Sequence, residues 1–384
     1  MSARETLKGF HNCLLGDVIT LQRGFDLPSH ERRSGDIPVV SSSGITGWHN
    51  AAKVKAPGVV TGRYGTLGEV FYIEQDFWAL NTTLFVSDFK GNHPKFISYL
   101  LRTLSLGVQN AAGAVPGVNR NVLHKMPVLV PEFEGQAKIA DILSNYDRLI
   151  DNNTRRIALL EESIHRLYKE WFVYLRFPGC EKVAIVEGVP EGWELKKVKD
   201  FGTVTTGKTP STKIPEYFGG SVPFIKTPDM HGNIFVILTE DSLTEMGANS
   251  QQKQYISAKA IMVACIGAKS GVVSLSSRTA QTNQQINSLI PNLEIFCYYC
   301  YYVLRELRIH LRAIGSNGAT MINVNKNKFE NMPVVLPLES LLKQFHQQAS
   351  SVFEQILTLQ IQNQKLREAR DLLLSRLMNG SIAV

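Results

Sequence analysis

Residues 119–131 read NRNVLHKMPVLVP, and 206 positions later residues 325–337 read NKNKFENMPVVLP, with six of thirteen positions identical. Self-similarity at a fixed offset constrains a fold more than any composition, because each copy must then build the same unit. The order of the surrounding phrases extends the match. The first half runs LGDVITLQRGFDLP, GDIPVVSSSG, PGVVTGRYGTLGEV, WALNTTLF, KFISYLLRTL and GAVPGVNRN. The second runs VKDFGTVTTGKTPST, GSVPFIKTPD, AIMVACIGAKSGVV, TAQTNQQINSL, IFCYYCYYVLREL and GATMINVNKN. Gly65 to Asn81 and Gly267 to Asn283 both span sixteen residues, which sets Asn81 and Asn283 at equivalent positions of a tandem duplication.

Each copy alternates Val-, Ile- and Phe-rich strands with Gly, Ser and Pro turns and places one apolar helix near its end. That is an α/β (α+β) module, and the chain carries two. After Pro131 and Pro337 the texture changes to long helix, with the prolines where a helix has not yet begun. From Ile139 an apolar seam steps by four and three through Leu143, Tyr146, Ile150, Asn153, Ile157, Leu160, Ile164, Leu167 and Trp171. The second copy repeats it through Phe345, Ala349, Val352, Ile356, Leu359, Asn363, Leu366, Arg370, Leu373 and Leu377. So narrow a seam wants one partner helix, which predicts an antiparallel two-helix coiled coil between the copies. In that register Ile139 faces Leu377, Trp171 faces Phe345, Asn153 meets Asn363, and Arg370 lies over the Tyr146 ring. Packing of each helix into its own module as an ordinary amphipathic helix is the plainer alternative. The expected segments are a first module over 1–133, a helical spacer over 134–176, a second module over 177–338 and a second helical spacer over 339–384.

Two modules on a helical pair make a ruler. A helix of ~33 residues is ~50 Å long at ~1.5 Å per residue, the length of ~14 to 15 base pairs of duplex. The loop chemistry suits that use. Arg32, Arg33, Ser42 with its neighbours Ser41 and Ser43, Arg63, Tyr64, Asn81, Asn119, Arg120 and Asn121 fall in turn-like stretches of the first copy. Lys208, Thr209, Ser211, Thr212, Lys213, Lys226, Lys269, Ser270, Asn283, Gln284, Gln285, Asn325, Lys326 and Asn327 do so in the second. Arg and Lys grip phosphate or read guanine, and Asn and Gln make bidentate contacts to adenine. Taken singly, such residues more often only shape and solvate turns, and Asn81 and Asn283 could equally cap strand ends.

Composition allows this reading without demanding it. The 384 residues, 44% apolar and 20% charged, suit two or three folded units. Forty-one Lys and Arg against thirty-four Asp and Glu give +7, and the isoelectric point is near 9.0. The excess is spread, with 13 basic and 11 acidic groups over residues 1–135 and 16 and 13 over residues 180–338, so a nucleic-acid footprint must be local. The first residues, MSARETLKGFHN, hold no apolar leader and the run FCYYCYYVL is too short to span a bilayer, which predicts a cytoplasmic protein. Five cysteines suit a reducing compartment; Cys297 and Cys300 form a lone CxxC in a run that reads as buried helix, so no metal site is expected. Phosphate-loop, dinucleotide, zinc-protease, nucleophile-elbow and adenine-methyltransferase tetrapeptide motifs are all missing. His165 and His346 read as helix-surface residues, and Glu194-Leu195-Lys196 is at most half of a nuclease site.

VPEGWELKKVKDFGTVTTGKTPST over 189–212, PFIKTPDM over 223–230, TNQQ over 282–285, and the NMPVVLP and KMPVLVP approaches to the long helices carry a resemblance. LGDVITLQRG opens the first copy in the same style, although without a Pro-Glu-Gly-Trp start. The chain resembles the specificity (S) subunits of type I restriction-modification systems over almost its whole length. That resemblance implies two target-recognition domains reading the halves of a split, asymmetric double-stranded DNA sequence. It implies two methyltransferase (M) subunits docked on the helices and restriction/translocase (R) subunits beyond them. S-adenosylmethionine, ATP and Mg²⁺ would then belong to those partners, with no catalysis and no cofactor in this chain and no membrane contact. The alternatives are a type IIB-like assembly, a non-DNA scaffold whose modules bind proteins or sugars, and an autonomous nuclease or methyltransferase.

Overall fold

Strands in which nearly every side chain is buried, such as GVVTG at residues 58–62, can only lie inside a sheet covered on both faces. The computed structural model describes residues 9–104, 117–186, 188–267, 270–308 and 323–382. Two compact units divide the chain: residues 1–150 with 366–384, and residues 151–365.

The first unit holds β1 (Phe10–Leu14), α1 (Leu15–Val18), β2 (Thr20–Arg23), β3 (Ile37–Ser41), β4 (Gly44–His49), β5 (Gly58–Gly62), β6 (Val70–Ile73), β7 (Trp78–Ala79), β8 (Thr83–Asp88), α2 (Pro94–Thr103), α3 (Arg120–Leu123) and β9 (Pro127–Pro131). An antiparallel sheet runs in the order β2-β8-β5-β6, and β3 carries β4 antiparallel on one side and β7 parallel on the other. β1 and β9 pair from Phe10↔Pro131 to Leu14↔Pro127, so the unit's first strand is tied to its last. Proline starts α2, and the His93 ring accepts from the Phe96 N–H at 3.3 Å to cap it. From β9 the chain enters α4 (Phe133–Tyr168), whose first turns join this unit's core through Ile139, Ala140 and Leu143.

The second unit repeats this plan with additions. After the hairpin β10 (Ile185–Val186) and β11 (Val189–Pro190) come β12 (Glu194–Lys197), β13 (Gly202–Thr206), β14 (Phe218–Ile225), β15 (Phe235–Val236), β16 (Asp241–Leu243), α5 (Glu245–Asn249), β17 (Ile261–Ala264), β18 (Val273–Ser276), β19 (Gln281–Thr282), β20 (Ile286–Pro291), α6 (Cys297–Glu306), α7 (Lys326–Glu330), β21 (Pro333–Leu336) and α8 (Glu339–Met378). The main sheet, β13-β20-β17-β18-β15, gains one edge strand, while β16-β14-β19 keeps the antiparallel and parallel pairings of its counterpart. β12 pairs with β21 as β1 does with β9. Glu194 is spent on an ion pair with Lys196 along β12.

The long helices meet antiparallel within each unit. In the first, Leu377 shares a core with Ile139 and Leu143, and Arg370 Nη1 donates to Asp147 Oδ1 at 2.8 Å. In the second, Asn363 Nδ2 donates to Thr154 Oγ1 at 3.2 Å, and the Trp171 and Phe345 rings lie 6.2 Å apart. Asn153 and Asn363 are both buried. Arg370, expected over the Tyr146 ring, goes to the neighbouring carboxylate instead, because a full opposite charge outcompetes a ring quadrupole. One π turn, Lys169–Val173, ends the α4 run and swings Phe172 to 5.2 Å from Phe345.

A Tyr-x-x-Arg pair on α2 and α6 seats each module on these helices. Tyr99 donates to Asp147 Oδ2 at 2.7 Å with Arg102 at 3.5 Å, whereas Tyr302 donates to the Glu161 carbonyl and Arg305 pairs with the Glu161 carboxylate. The same aromatic helix corrects the reading of two histidines. His165 stacks on Tyr302 at 5.3 Å and pairs with Glu306, and His346 stacks on Tyr298 at 5.4 Å, so both are packed against rings rather than presented on a free helix face. Cys297 and Cys300 are buried in that helix, the first with its thiol pushed up by burial to about 12.

Burial pushes the Asp147 carboxyl upward, but bonds from Tyr99 and Arg370 and the charges of Arg102 and Arg370 outweigh it and hold its pKa below 3.8. A depressed carboxylate stabilises the fold above its unfolded value, and that contribution disappears as pH falls through the lower folded value. Asp147→Asn is therefore expected to cost ~1–3 kcal/mol at neutral pH and to narrow the stability gap between pH 7 and pH 3. Urea unfolding at the two pH values measures both.

Candidate nucleic-acid interface

In the first unit four segments converge on the turn from Leu80 to Thr83, closed by Thr83 N–H to Leu80 O at 2.9 Å. Phe25 N–H reaches Ala79 O at 2.7 Å, Leu80 N–H reaches Val40 O at 2.8 Å, and the N–H groups of Arg63 and Tyr64 both donate to Thr82 O. Val118 N–H then reaches Arg63 O at 2.9 Å. Gly24 is required here, since a Cβ on it would lie 2.1 Å from Leu80 O.

The second unit repeats the hub except for the Tyr64 bond. Lys208 N–H reaches Thr282 O, Asn283 N–H reaches Ile225 O, Ile286 N–H reaches Asn283 O, Cys265 N–H reaches Gln285 O and Val324 N–H reaches Cys265 O, all between 2.8 and 3.2 Å. Gly207 stands where Gly24 does, 2.1 Å short of Asn283 O for any Cβ. These bonds match Leu80 with Asn283 and Asn81 with Gln284. The assignment of Asn81 and Asn283 to one position is thus off by one, because the connection between the equivalent strands β5–β8 and β17–β20 is one residue longer in the second copy. Gly65 and Gly267, at φ +80° and +89°, do correspond.

Side chains around the hubs differ. Asn81 Nδ2 donates to Asp26, whose other oxygen is 3.5 Å from Arg23, and the Arg63 guanidinium lies 4.6 Å from the Tyr64 ring centre. In the second unit Thr209 Oγ1 donates to Gln284 Oε1 at 2.7 Å, and Gln285 Oε1 accepts from Thr227 at 3.2 Å and from Asn283 Nδ2 at 3.3 Å. Lys208, Ser211, Thr212 and Lys213 are exposed beside it. Lys226 is engaged: its ammonium bonds to Asp241, which raises its pKa, and its N–H donates to Asp229.

Several expected contact residues lie elsewhere. Ser42 and Ser270 are buried, and Ser270 Oγ donates to Gly267 O, which removes both from direct contact with a ligand. Arg32 is half-buried with Nη1 on Thr46 O, while Arg33 is exposed. Lys269 is outside the described residues. Asn119 accepts from the Asn121 N–H at 2.9 Å at the start of α3, and Asn325 accepts from the Lys328 N–H at 2.9 Å at the start of α7. The repeated Asn-rich phrase is thereby a repeated helix cap. Arg120 and Asn121 are exposed, Lys326 pairs with Glu330 at 3.4 Å, and Asn327 Oδ1 accepts from Asn331 at 3.0 Å. Sequence reasoning missed Asp26, Arg23 and Thr227, although the matched glycines in LQRG and TTGK mark the segments that carry Arg23 and Asp26.

Two copies of one α/β unit, each tying its first strand to its last and each carrying a polar loop hub, define a tandemly duplicated protein. The family model described as the type I restriction modification DNA specificity domain matches residues 8–162 and again 190–369. The chain is 31% identical to the type I restriction enzyme HindI specificity subunit of Haemophilus influenzae, over 82% of this chain and 84% of the relative. It is 23% identical to the EcoR124I/EcoR124II specificity subunit of Escherichia coli, over 84% and 80%. The crystal structure of the type I restriction-modification S subunit from M. genitalium shares its fold, with a TM-score of 0.65, 14% identity and 98% coverage of both chains. The chain belongs to the type I restriction-modification DNA specificity family. It is a recognition subunit, non-catalytic by itself. Among the described residues no cluster of His, Cys, Asp or Glu could hold a metal ion, and no helix is long and apolar enough to cross a membrane.

Replacing Asn119 or Asn325 by Ala is expected to cost ~0.5–2 kcal/mol each, with Asn325→Ser retaining most of the stability because Ser caps equally well. Denaturant unfolding reads this. Lost DNA binding with unchanged stability would assign these side chains to the duplex instead.

Proposed function

We propose that each unit reads one half of a split, asymmetric double-stranded DNA target, through loops of the segments 1–133 and 177–338. The helical segments 134–176 and 339–384 set the distance between the two half-sites. The observation that carries this is the hub built twice on the same backbone bonds but with different side chains. A duplicated frame with unlike surfaces suits two unlike half-sites. At ~1.5 Å per residue the 36 residues of α4 and the 40 of α8 are roughly 54 and 60 Å long, enough to follow more than one turn of duplex.

Cations beside the hubs, half-buried Arg63 and exposed Lys208 foremost, hold phosphates, while the hub amides face base edges in the major groove. The helices dock two methyltransferase subunits, and restriction/translocase subunits complete the complex in the cytoplasm. S-adenosylmethionine, ATP and Mg²⁺ act on those partners. This chain supplies the address.

Fluorescence anisotropy with the methyltransferase-assembled complex tests the reading. A strong preference for one bipartite duplex over the same duplex with an altered spacer is expected; equal binding to both, or to scrambled halves, sinks it. Arg63→Gln and Lys208→Gln are each expected to weaken binding to every sequence alike and to lower the slope of log K against log salt by ~1.

A further inference from the structure

The two hubs present amides of opposite hydrogen-bonding polarity at the same place. Asp26 sets the first. A carboxylate can only accept, so the Asn81 amide must turn its nitrogen towards it, and the carbonyl oxygen Oδ1 is left without a partner among the described residues. Arg23 lies beside the other carboxylate oxygen at 3.5 Å. In the second unit the position of Asp26 is held by Thr209, whose hydroxyl donates to Gln284 Oε1. Gln285 Oε1 is likewise taken, by Thr227 and Asn283. There the carbonyls are committed and both Nε2 groups are uncommitted among the described residues.

Resting on the DNA-reading role above, we infer that the first unit reads a hydrogen-bond donor on a base edge through Asn81 Oδ1, and the second reads acceptors through the amide nitrogens of Gln284 and Gln285. In the major groove the donors are the exocyclic amines of adenine and cytosine. The acceptors are purine N7, guanine O6 and thymine O4. Asp26, Thr209 and Thr227 are positioning residues: they touch no base and decide which end of the amide faces it. The bidentate adenine contact expected of free Asn and Gln side chains is thereby traded for a fixed polarity.

The test deletes one functional group at a time from the duplex. The target is first selected from random duplexes by the assembled complex, and anisotropy then follows analogues of each half-site. Purine replaces adenine and pyrimidin-2-one replaces cytosine to remove the amine; 7-deazapurines remove N7. One amine deletion in the first half-site is expected to weaken binding roughly three- to tenfold, and that loss vanishes in Asn81→Ala. An acceptor deletion in the second half-site is expected to couple in the same way to Gln284→Ala or Gln285→Ala. Asp26→Asn, whose amide can give as well as take, lets Asn81 turn over and is expected to relax discrimination at that one position while overall affinity stays. Coupling of Asn81 to an acceptor deletion, or no coupling while the native complex still selects its target, overturns the inference and leaves the DNA-reading role standing. A native complex that selects no sequence overturns both.

Discussion

The side chains that differ between the two copies hang on a shared set of backbone hydrogen bonds. The turns at residues 80–83 and 283–286 each receive N–H groups from segments far away in sequence, and all of those bonds but the one from Tyr64 recur in the other copy. Backbone amides carry no sequence identity, so a frame made of them survives replacement of almost any side chain above it. The exception is the glycine at 24 and 207, where the approach of a carbonyl to 2.1 Å from a built Cβ leaves no room for any other residue. The frame thus separates two demands that usually conflict. Position is fixed by the main chain, and the side chains at Asp26, Asn81, Thr209, Gln284 and Gln285 differ between the two copies.

The joints to the helices follow the same logic with a different result. Tyr99 and Arg102 on α2 correspond to Tyr302 and Arg305 on α6, and both pairs close on one acidic residue of α4, the first on the Asp147 carboxylate and the second on the Glu161 carbonyl and carboxylate. Yet Asp147 and Glu161 are not equivalent residues. An offset of 206 sets Phe353 at the Asp147 position, and there Tyr302 meets a ring at 6.0 Å in place of an acid. One joint is an ion cluster and the other an aromatic stack with its ion pair shifted to the rim. Charged joints are geometrically exacting and depend on protonation, whereas apolar ones depend on area buried. The two heads are therefore held by forces that respond differently to pH and salt, although their folds match.

How far this was legible in the sequence depended on what kind of signal carried it. The duplication, the module class and the antiparallel seam rest on periodicity, and periodicity is a property of many residues at once. Ile139, Leu143, Trp171, Phe345 and Leu377 are buried because a step of four and three keeps them on one stripe. Single-residue readings fared worse for local reasons. Asn81 and Asn283 share a letter and a spacing, but one extra residue between equivalent strands shifts the match, and only the hydrogen-bond ladder reveals it. Ser42 and Ser270 look like surface turn residues and are buried, because neighbouring chain segments fold over them. His165 and His346 sit beside the seam in sequence, yet the tyrosines of α6 arrive from a distant part of the chain to cover them. Arg370 was assigned to a ring one residue away from the carboxylate that holds it.

What the local pairing of the hub amides changes is the energetics of error. A free Asn or Gln can rotate to suit either a donor or an acceptor, so it discriminates little, and it must lose that freedom on binding. An amide already bonded to Asp26 or Thr209 has lost it beforehand. Turning it over to suit the wrong base would break the intramolecular bond, and in the case of Asp26 would set a carbonyl against a carboxylate. On the proposed DNA-reading role, the cost of a mismatch then includes a repulsion inside the protein as well as an unpaired group at the base, which is how a recognition surface rejects as well as selects. Thr209 enforces this less strictly, since a hydroxyl can donate or accept. If the hub amides read bases as proposed, the first unit should for that reason be the stricter reader, and the second the one in which a change of specificity needs fewer substitutions.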